Sequence, residues 1–311
     1  MKRFFLIALV LSVVLLGCQK VENTKGSSFS AENKMSVVTT IGMIGDVAAN
    51  IGGDRVEVYS MMGAGVDPHL YKAKAGDLTR LSKADLILYN GIHLEAKMGD
   101  VLEKLSKTQN IKAIEDGISE DTLLTVDQAH DPHIWFDVSN WMLASNVILD
   151  ALINTDPSGE AIYRENHASY LKKLEDLDTY TREKAMTIAQ ERRILITAHD
   201  AFNYFGRAYG FEVRGLQGIS TVDEAGTSDV RDLADFITKN KIRSLFIETS
   251  VSPKSIKALQ AAVQSRGWNV EIGGELFSDA MGNAGTFDGT YIGMVTHNID
   301  TIVAGLSLEE K

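Results

Sequence analysis

Apolar and polar positions along the chain follow two periods, one typical of buried strands and one of amphipathic helices. The apolar run at 36–41 predicts a buried strand, and 43–53 predicts a helix that ends in glycines. The alternation continues with strands at 55–62 and 85–90 and helices at 75–84 and 93–107. Strands that alternate with helices predict βαβ units and a parallel sheet.

A different pattern begins at Asp156 and Pro157, which favour a helix start. No proline follows up to residue 192, and an apolar stripe recurs every three or four residues. The stripe consists of Tyr163, His167, Tyr170, Leu174, Leu177 and Tyr180. We predict one helix of about 50 Å, at 1.5 Å per residue, that spans two domains.

Strands and helices then alternate again to the end of the chain. Strands are predicted at 193–198, 244–250 and 270–277, and helices at 228–240, 252–267 and about 289–306. The predicted fold is therefore α/β, with two lobes that contain parallel sheets and are joined by one long rigid helix. The boundaries are 36–154 for the first lobe, 155–192 for the linking helix and 193–311 for the second lobe.

The N-terminal residues have the pattern of an export signal. Lys2 and Arg3 precede an apolar run at 4–16, too short to span a bilayer comfortably. Gly17 precedes Cys18, the single cysteine, and this resembles a bacterial lipobox. We predict a signal peptide at 1–18, with lipidation of Cys18 as the membrane anchor. The alternative is a signal peptide cleaved elsewhere, with Cys18 removed.

The composition of the rest of the chain limits the classes of partner that the protein can bind. Residues 19–35 are polar without periodicity and predict a flexible tether. The net charge of −11 argues against nucleic acid as a partner and suits a protein that attracts cations. A chain that begins at Cys18 offers no thiol pair for a disulfide. These features predict an exported protein, periplasmic or at the cell surface, that is tethered to a membrane and acts as a monomer.

The tripeptide Asp-Pro-His occurs twice, ending at His69 and at His133. Proline fixes its own φ and biases the preceding aspartate towards an extended conformation, which holds the next imidazole on a stiff segment. A metal site requires such preorganisation. His69 follows a predicted strand and His199 follows another, and ligands bind outside the carboxyl ends of parallel strands. His69, His133 and His199 are therefore candidate metal ligands.

A fourth ligand is expected from the second half of the chain. Glu275 and Asp279 both lie in a glycine-flanked segment at a strand end, and residue chemistry alone leaves the choice open. Glu248 ends a strand, where it can support a ligand or bind loop amides. The other histidines are weaker candidates: His93 lies near the site or opens a helix, His130 is exposed, and His167 and His297 are packed or surface residues.

The motifs that carry these residues resemble one family. "GVDPHLYKAKAGDLTRLSKADLILYNG", "DPHIWFDV", "ITAHDAFNYFGRAYGFEV" and "IGGELFSDAMGNAGTFDG" are similar to the cluster A-I solute-binding lipoproteins of zinc and manganese ABC transporters, especially their treponemal type. The resemblance covers nearly the whole chain after the tether. It implies one metal ion in the cleft between two lobes, bound by His69, His133, His199 and Asp279.

The resemblance leaves the metal open between Zn²⁺ and Mn²⁺. Zinc-dedicated members carry a long histidine- and acid-rich loop, which this chain lacks. Manganese-dedicated members have glutamate at the position of His199. In either case the implied function is an extracytoplasmic receptor that delivers metal to an ABC permease and is not an enzyme. The alternatives are a metal-dependent hydrolase, which lacks support because no H-E-x-x-H motif occurs, and a surface adhesin as a second role.

Overall fold

The computed structural model describes residues 29–126 and 128–307, and its first half is built on a four-stranded parallel sheet. The strands are β1 (Met35–Ile41), β2 (Val56–Met62), β3 (Leu86–Tyr89) and β4 (Ile111–Ala113), in the order β2-β1-β3-β4. The helices of this part are α1 (Gly42–Gly52), α2 (Ala75–Leu81) and α3 (Gly99–Ser106). All residues of β1 except Ser36 are buried, as expected for a parallel strand that is covered on both faces.

A short hairpin and two helices connect this sheet to the second half. The hairpin pairs β5 (Thr125–Val126) with β6 (Ala129–His130), and a 3₁₀ turn at Ile134–Phe136 leads into α4 (Val138–Thr155) and α5 (Glu160–Met186). Asp137 caps α4, because its side chain accepts a hydrogen bond from the backbone N–H of Ser139.

The second half contains two parallel strand pairs. Its elements are β7 (Ile194–His199), α6 (Asn203–Tyr209), β8 (Glu212–Gln217), α7 (Thr227–Asn240), β9 (Ser244–Glu248), α8 (Lys254–Gln264), β10 (Glu271–Leu276) and α9 (Tyr291–Leu306). β7 pairs with β8, β9 pairs with β10, and β7 lies against β9. The α/β class, the parallel pairing and the long central helix are thus confirmed.

The long helix is shorter than predicted. The predicted range 155–192 is wrong at both ends. At its start, α4 ends at Thr155 and a 3₁₀ turn at Pro157–Gly159 precedes α5, and at its end α5 stops at Met186. The 27 residues of α5 span about 40 Å at 1.5 Å per residue. The predicted stripe is buried along this helix except at Tyr180, which is half-buried and donates a hydrogen bond to Asp300.

Three other local predictions are wrong. The helix predicted to start at residue 93 begins at Gly99, because Ile92 and His93 adopt positive φ angles of 50° and 59° in a turn. The two glycines of 215–218 favour a flexible loop in the sequence, but residues 215–217 belong to β8. The flexible tether predicted at 19–35 extends too far, because Phe29 is buried and β1 begins at Met35. Cys18 and the predicted signal peptide lie outside the described residues, and the lobe boundaries remain a prediction.

One hydrophobic core joins residues from both halves of the chain. It contains Val37 and Leu88 from the first sheet, Leu174 from α5, and Phe202 and Ile299 from the second half. A second, smaller core fills the space among α7, α8 and the strands of the second half. Because the larger core crosses the boundary between the halves, their relative displacement would disrupt packed apolar contacts.

Asp46 marks the junction of three helices in this shared core. Its Oδ2 accepts a hydrogen bond from the Tyr170 hydroxyl on α5, at 3.3 Å, and from the backbone N–H of Tyr291 at the start of α9, at 3.2 Å. Burial raises the pKa of Asp46, while the bonds from Tyr291 and Tyr170 lower it. Helices from the first half, the linker and the second half therefore meet at one carboxylate.

Asp156 fixes the corner between α4 and α5. It is 2% exposed, and its Oδ2 accepts hydrogen bonds from Arg55 Nη2 at 2.6 Å and from the Tyr163 hydroxyl at 2.7 Å. We predict that Asp156→Ala lowers the free energy of unfolding by about 2–4 kcal/mol, because it leaves the Arg55 charge without its partner. Urea denaturation measures this change.

Asp116 provides the control for that measurement. It forms an exposed ion pair with Lys112, four residues away. Such a surface pair contributes about 0–1 kcal/mol, so Asp116→Ala should leave the unfolding curve nearly unchanged. Equal losses of stability in the two variants would contradict the assignment of Asp156 as the residue that fixes the corner.

Candidate metal centre

Four buried side chains converge between the two halves of the molecule. They are His69 after β2, His133 before the 3₁₀ turn that leads to α4, His199 at the end of β7, and Asp279 after β10. Each is at most 1% exposed, and the potential ligand atoms all lie within 4.8 Å of one another. Three of the four therefore lie at or just beyond the carboxyl ends of parallel strands, where ligands of open α/β sheets bind.

Four distances between potential ligand atoms match the edges of a small coordination polyhedron, whereas His69 Nε2 lies 3.9 Å from Asp279 Oδ2. His133 Nε2 lies 3.3 Å from His69 Nε2 and 3.4 Å from His199 Nε2. Asp279 contributes Oδ1 at 3.4 Å from His133 Nε2 and Oδ2 at 3.3 Å from His199 Nε2. Ligand atoms at the corners of a tetrahedron around Zn²⁺, with bonds of about 2.0–2.1 Å, lie about 3.3–3.4 Å apart.

An unpaired oxygen of Asp279 also indicates that the cluster fits a divalent cation. Asp279 Oδ1 is buried and accepts no hydrogen bond. An unpaired buried carboxylate oxygen is costly unless a cation satisfies it. Three imidazole nitrogens and a carboxylate are typical ligands of Zn²⁺, and the second carboxylate oxygen would suit a metal of higher coordination number.

Both Asp-Pro-His tripeptides form the same turn. The backbone N–H of His69 donates to Asp67 Oδ1 at 2.8 Å, and the backbone N–H of His133 donates to Asp131 Oδ1 at 3.0 Å. An aspartate that accepts the amide proton two residues later closes an Asx turn. The aspartate carboxylate, as well as the proline, thus holds each histidine.

Two carboxylates also orient imidazole rings. His133 Nδ1 lies 2.6 Å from Asp131 Oδ1, and His199 Nδ1 lies 2.6 Å from Glu248 Oε2. When Nδ1 donates to a carboxylate, Nε2 is left as the ligand atom, and the imidazole becomes more basic. Glu248 Oε1 also accepts the backbone N–H of His199, at 3.0 Å, so Glu248 supports a candidate ligand and binds backbone amides as well.

Trp135 holds the Asp279 segment from the opposite half. Its indole N–H donates to the carbonyl of Ser278 at 3.1 Å, and its ring packs edge-on against His133 with centroids 5.3 Å apart. Tyr291 in turn donates its hydroxyl proton to the Trp135 carbonyl, at 2.6 Å. No sequence pattern marks Trp135 for this role, although it lies two residues after His133.

Gly215 permits β8 to approach the His199 segment closely. A Cβ atom at this position would lie about 2.4 Å from the backbone nitrogen of Asp200 and 2.6 Å from the carbonyl carbon of His199. Real Cβ atoms do not approach other atoms so closely, so any side chain here would displace the end of β7. The glycine interpreted as a loop residue therefore belongs to the framework of the site.

The remaining sequence candidates lie elsewhere. Glu275 is exposed on β10, so the structure brings Asp279, and not Glu275, next to the histidines. His93 and His130 are exposed, which excludes His93 from the buried cluster. His167 is buried beside Ser145, and His297 is half-buried with Nε2 3.1 Å from the Glu275 carbonyl oxygen.

Burial lowers the pKa values of the three histidines, whereas neighbouring carboxylates raise them. Burial would lower the pKa of His133, but Asp131 and Asp279 raise it to about 9. Likewise, burial would lower the pKa of His199, but Glu248 and Asp279 raise it well above the ordinary value. Burial lowers the pKa of His69 to about 3, although Asp279 opposes this shift. Protons on His133 and His199 thus balance the carboxylates when no metal does.

Comparisons with known proteins agree with this geometry. Residues 37–305 match the family described as zinc-uptake complex component A, periplasmic. The chain is 51% identical to the zinc-binding protein TroA of Treponema pallidum over 89% of this chain and 91% of that protein. The solved structure of that protein superimposes with a TM-score of 0.87, and the match covers 88% of this chain and 100% of the other.

Two further relatives are named for manganese or for metals in general. The chain is 43% identical to the manganese-binding lipoprotein MntA of Bacillus subtilis, over 94% of this chain and 95% of that protein. It is 32% identical to the metal ABC transporter substrate-binding lipoprotein SsaB of Streptococcus sanguinis, over 99% of this chain and 100% of that protein. The chain therefore belongs to the family of metal-binding substrate-binding proteins of ABC transporters that contains the periplasmic zinc-uptake component. Within residues 29–126 and 128–307, no helix has both the length and the apolar character needed to cross a membrane.

The raised pKa values predict a pH dependence of metal binding. A metal ion at this site must displace a proton from His133, whose pKa is raised to about 9, and one from His199, whose pKa is raised well above its ordinary value. Zinc affinity should therefore increase as the pH is raised from about 6 to about 8, with net proton release at neutral pH. Isothermal titration in buffers of different ionisation enthalpy counts the released protons. Binding without proton release would contradict these assignments.

Proposed function

We propose that this protein is an extracytoplasmic receptor that binds one Zn²⁺ or Mn²⁺ ion through His69, His133, His199 and Asp279. The observation that carries the proposal is the convergence of three imidazoles and one carboxylate in a buried position, with their potential ligand atoms within 4.8 Å of one another. The zinc-binding and manganese-binding relatives support the same ligand class. The receptor delivers its ion to an ABC permease, as the name of the SsaB relative suggests.

The donor set accommodates both metals in different ways. Neutral imidazoles and one carboxylate give the site a single negative charge, which suits a dication. Zn²⁺ takes four ligands in tetrahedral geometry, whereas Mn²⁺ takes more ligands and uses both oxygens of Asp279. By the Irving–Williams order, Zn²⁺ binds such a site more tightly, so the ion carried in the cell depends on the supply of each metal.

We further propose that the protein is not an enzyme. A catalytic zinc site keeps one position for water and uses three protein ligands, whereas this site offers four protein donors. A site closed by protein ligands retains an ion but does not activate water. Metal-dependent turnover of ester, peptide or phosphoester substrates by the purified protein would favour the hydrolase alternative.

The location follows from the export signal and from the relatives. We propose that the chain is exported and anchored by a lipid at Cys18, since MntA and SsaB are named lipoproteins. The receptor acts as a monomer, because the proposed site draws all four ligands from one chain. The anchor holds it near the permease that receives the ion.

His199→Ala tests the proposed site. This change removes one donor and leaves Glu248 without its imidazole partner, so we expect zinc affinity to fall by at least about 100-fold. Competition with a chelator of known affinity measures this fall. In cells that lack the native gene, the variant should also fail to restore growth under zinc and manganese limitation.

His297→Ala is the matched control. His297 lies on α9 with its Nε2 against a backbone carbonyl oxygen, away from the cluster. This variant should bind zinc as the wild type does and restore growth. Equal losses in the two variants would refute the ligand assignment, whereas metal binding without growth restoration by the wild type would refute the transport role.

A further inference from the structure

Each Asp-Pro-His aspartate uses its second carboxylate oxygen to reach the other half of the molecule. Asp67 Oδ2 accepts a hydrogen bond from the Thr221 hydroxyl at 2.6 Å. Asp131 Oδ2 accepts one from the side-chain amide of Asn203 at 3.1 Å. Since Oδ1 of each aspartate holds its own histidine, each carboxylate connects a candidate ligand of the first half to a donor of the second half.

The two donors lie on segments that adjoin His199. Asn203 begins α6, and its amide also donates to the backbone carbonyl of Asp200 at 3.2 Å. Thr221 lies in the loop that follows β8, and β8 pairs with β7 so that Gln217 stands opposite His199. Both bonds therefore link a ligand segment of the first half to the framework of a ligand of the second half.

The surroundings make these bonds strong. Asp131 is fully buried, and Thr221 is only 7% exposed. Burial raises the pKa of Asp67, and the Thr221 hydrogen bond is the largest influence that lowers it. A hydrogen bond to a buried carboxylate is stronger than one between neutral groups, and its loss leaves a charged acceptor unsatisfied.

We propose that Thr221 and Asn203 are positioning residues that keep the two halves of the metal site together and thereby slow metal release. The inference rests on the proposed function and deepens it. If the halves separate, Oδ2 of each aspartate loses its partner and the Asx turn that fixes His69 or His133 is strained. The complete ligand geometry then exists only while both bonds hold, so the same two bonds couple retention of the ion to the arrangement of the halves.

Thr221→Val provides the main test because it removes the hydroxyl and keeps the shape of the side chain. Zinc-loaded protein is mixed with an excess of a chromophoric chelator, and the rate of zinc release is recorded. We expect about tenfold faster release from Thr221→Val, and a similar effect from Asn203→Ala. Thr221→Ser keeps the hydroxyl and should release zinc at nearly the wild-type rate.

Two variants of the same chemistry serve as controls. Thr238 and Asn240 on α7 donate side-chain hydrogen bonds to backbone carbonyls of their own helix, far along the chain from any candidate ligand. Thr238→Val and Asn240→Ala should leave the release rate unchanged. Circular dichroism and thermal unfolding verify that all variants fold.

A double-mutant cycle separates positioning from a general structural role. If Thr221 acts through Asp67, then Thr221→Val should have no further effect on release in an Asp67→Ala background. An undiminished effect in that background would overturn the inference, as would a Thr221→Val rate equal to that of Thr238→Val. In both cases tight zinc binding by the wild type leaves the proposed function intact, whereas a wild type that binds no zinc refutes both proposals.

Discussion

The structure depends on the burial of four polar side chains within contact distance of one another. Three imidazole nitrogens and a carboxylate lie within 4.8 Å, at positions that water barely reaches. Such a group is unfavourable unless a cation or protons satisfy it. The surrounding carboxylates offset part of this cost: Asp131 and Glu248 accept from the imidazoles of His133 and His199. The framework therefore accepts a local energetic cost in order to hold the ligand atoms in place.

The position of the cluster explains why the two halves are packed so closely. Two of the candidate ligands belong to the first half and two to the second, so any relative motion would change the geometry of the cluster. A shared hydrophobic core, the Asp46 junction and the Trp135–Ser278 hydrogen bond all cross the boundary. Separation of the halves would break these polar contacts and also disrupt the packing of the shared core.

Much of the fold, and two of the four residues of the candidate site, could be predicted from local sequence. The alternation of apolar runs with amphipathic helices predicted most strands, and the repeated Asp-Pro-His tripeptide identified His69 and His133. β8 was missed because its polar residues and Gly215 read as a loop, although backbone pairing with β7 stabilises the strand. Residue chemistry could not choose between Glu275 and Asp279, because the direction of each side chain depends on where β10 ends. The family resemblance supplied that choice.

The supporting contacts could not be predicted because they join residues distant in sequence. Thr221 and Asp67 are 154 positions apart, and Asn203 and Asp131 are 72 apart. No local pattern marks a threonine or an asparagine as the partner of a particular aspartate. Glu248 was predicted either to support a ligand or to bind loop amides, because it ends a strand, but its contact with the imidazole of His199 is visible only in three dimensions.

The central claim is that one ion is bound by three imidazoles and one carboxylate contributed by both halves. The zinc K-edge X-ray absorption spectrum of the zinc-loaded protein tests it most directly. We expect one zinc per chain, coordinated by three imidazole nitrogens and carboxylate oxygen at about 2.0–2.2 Å and by no sulfur. A shell with fewer imidazoles and several water oxygens would contradict it.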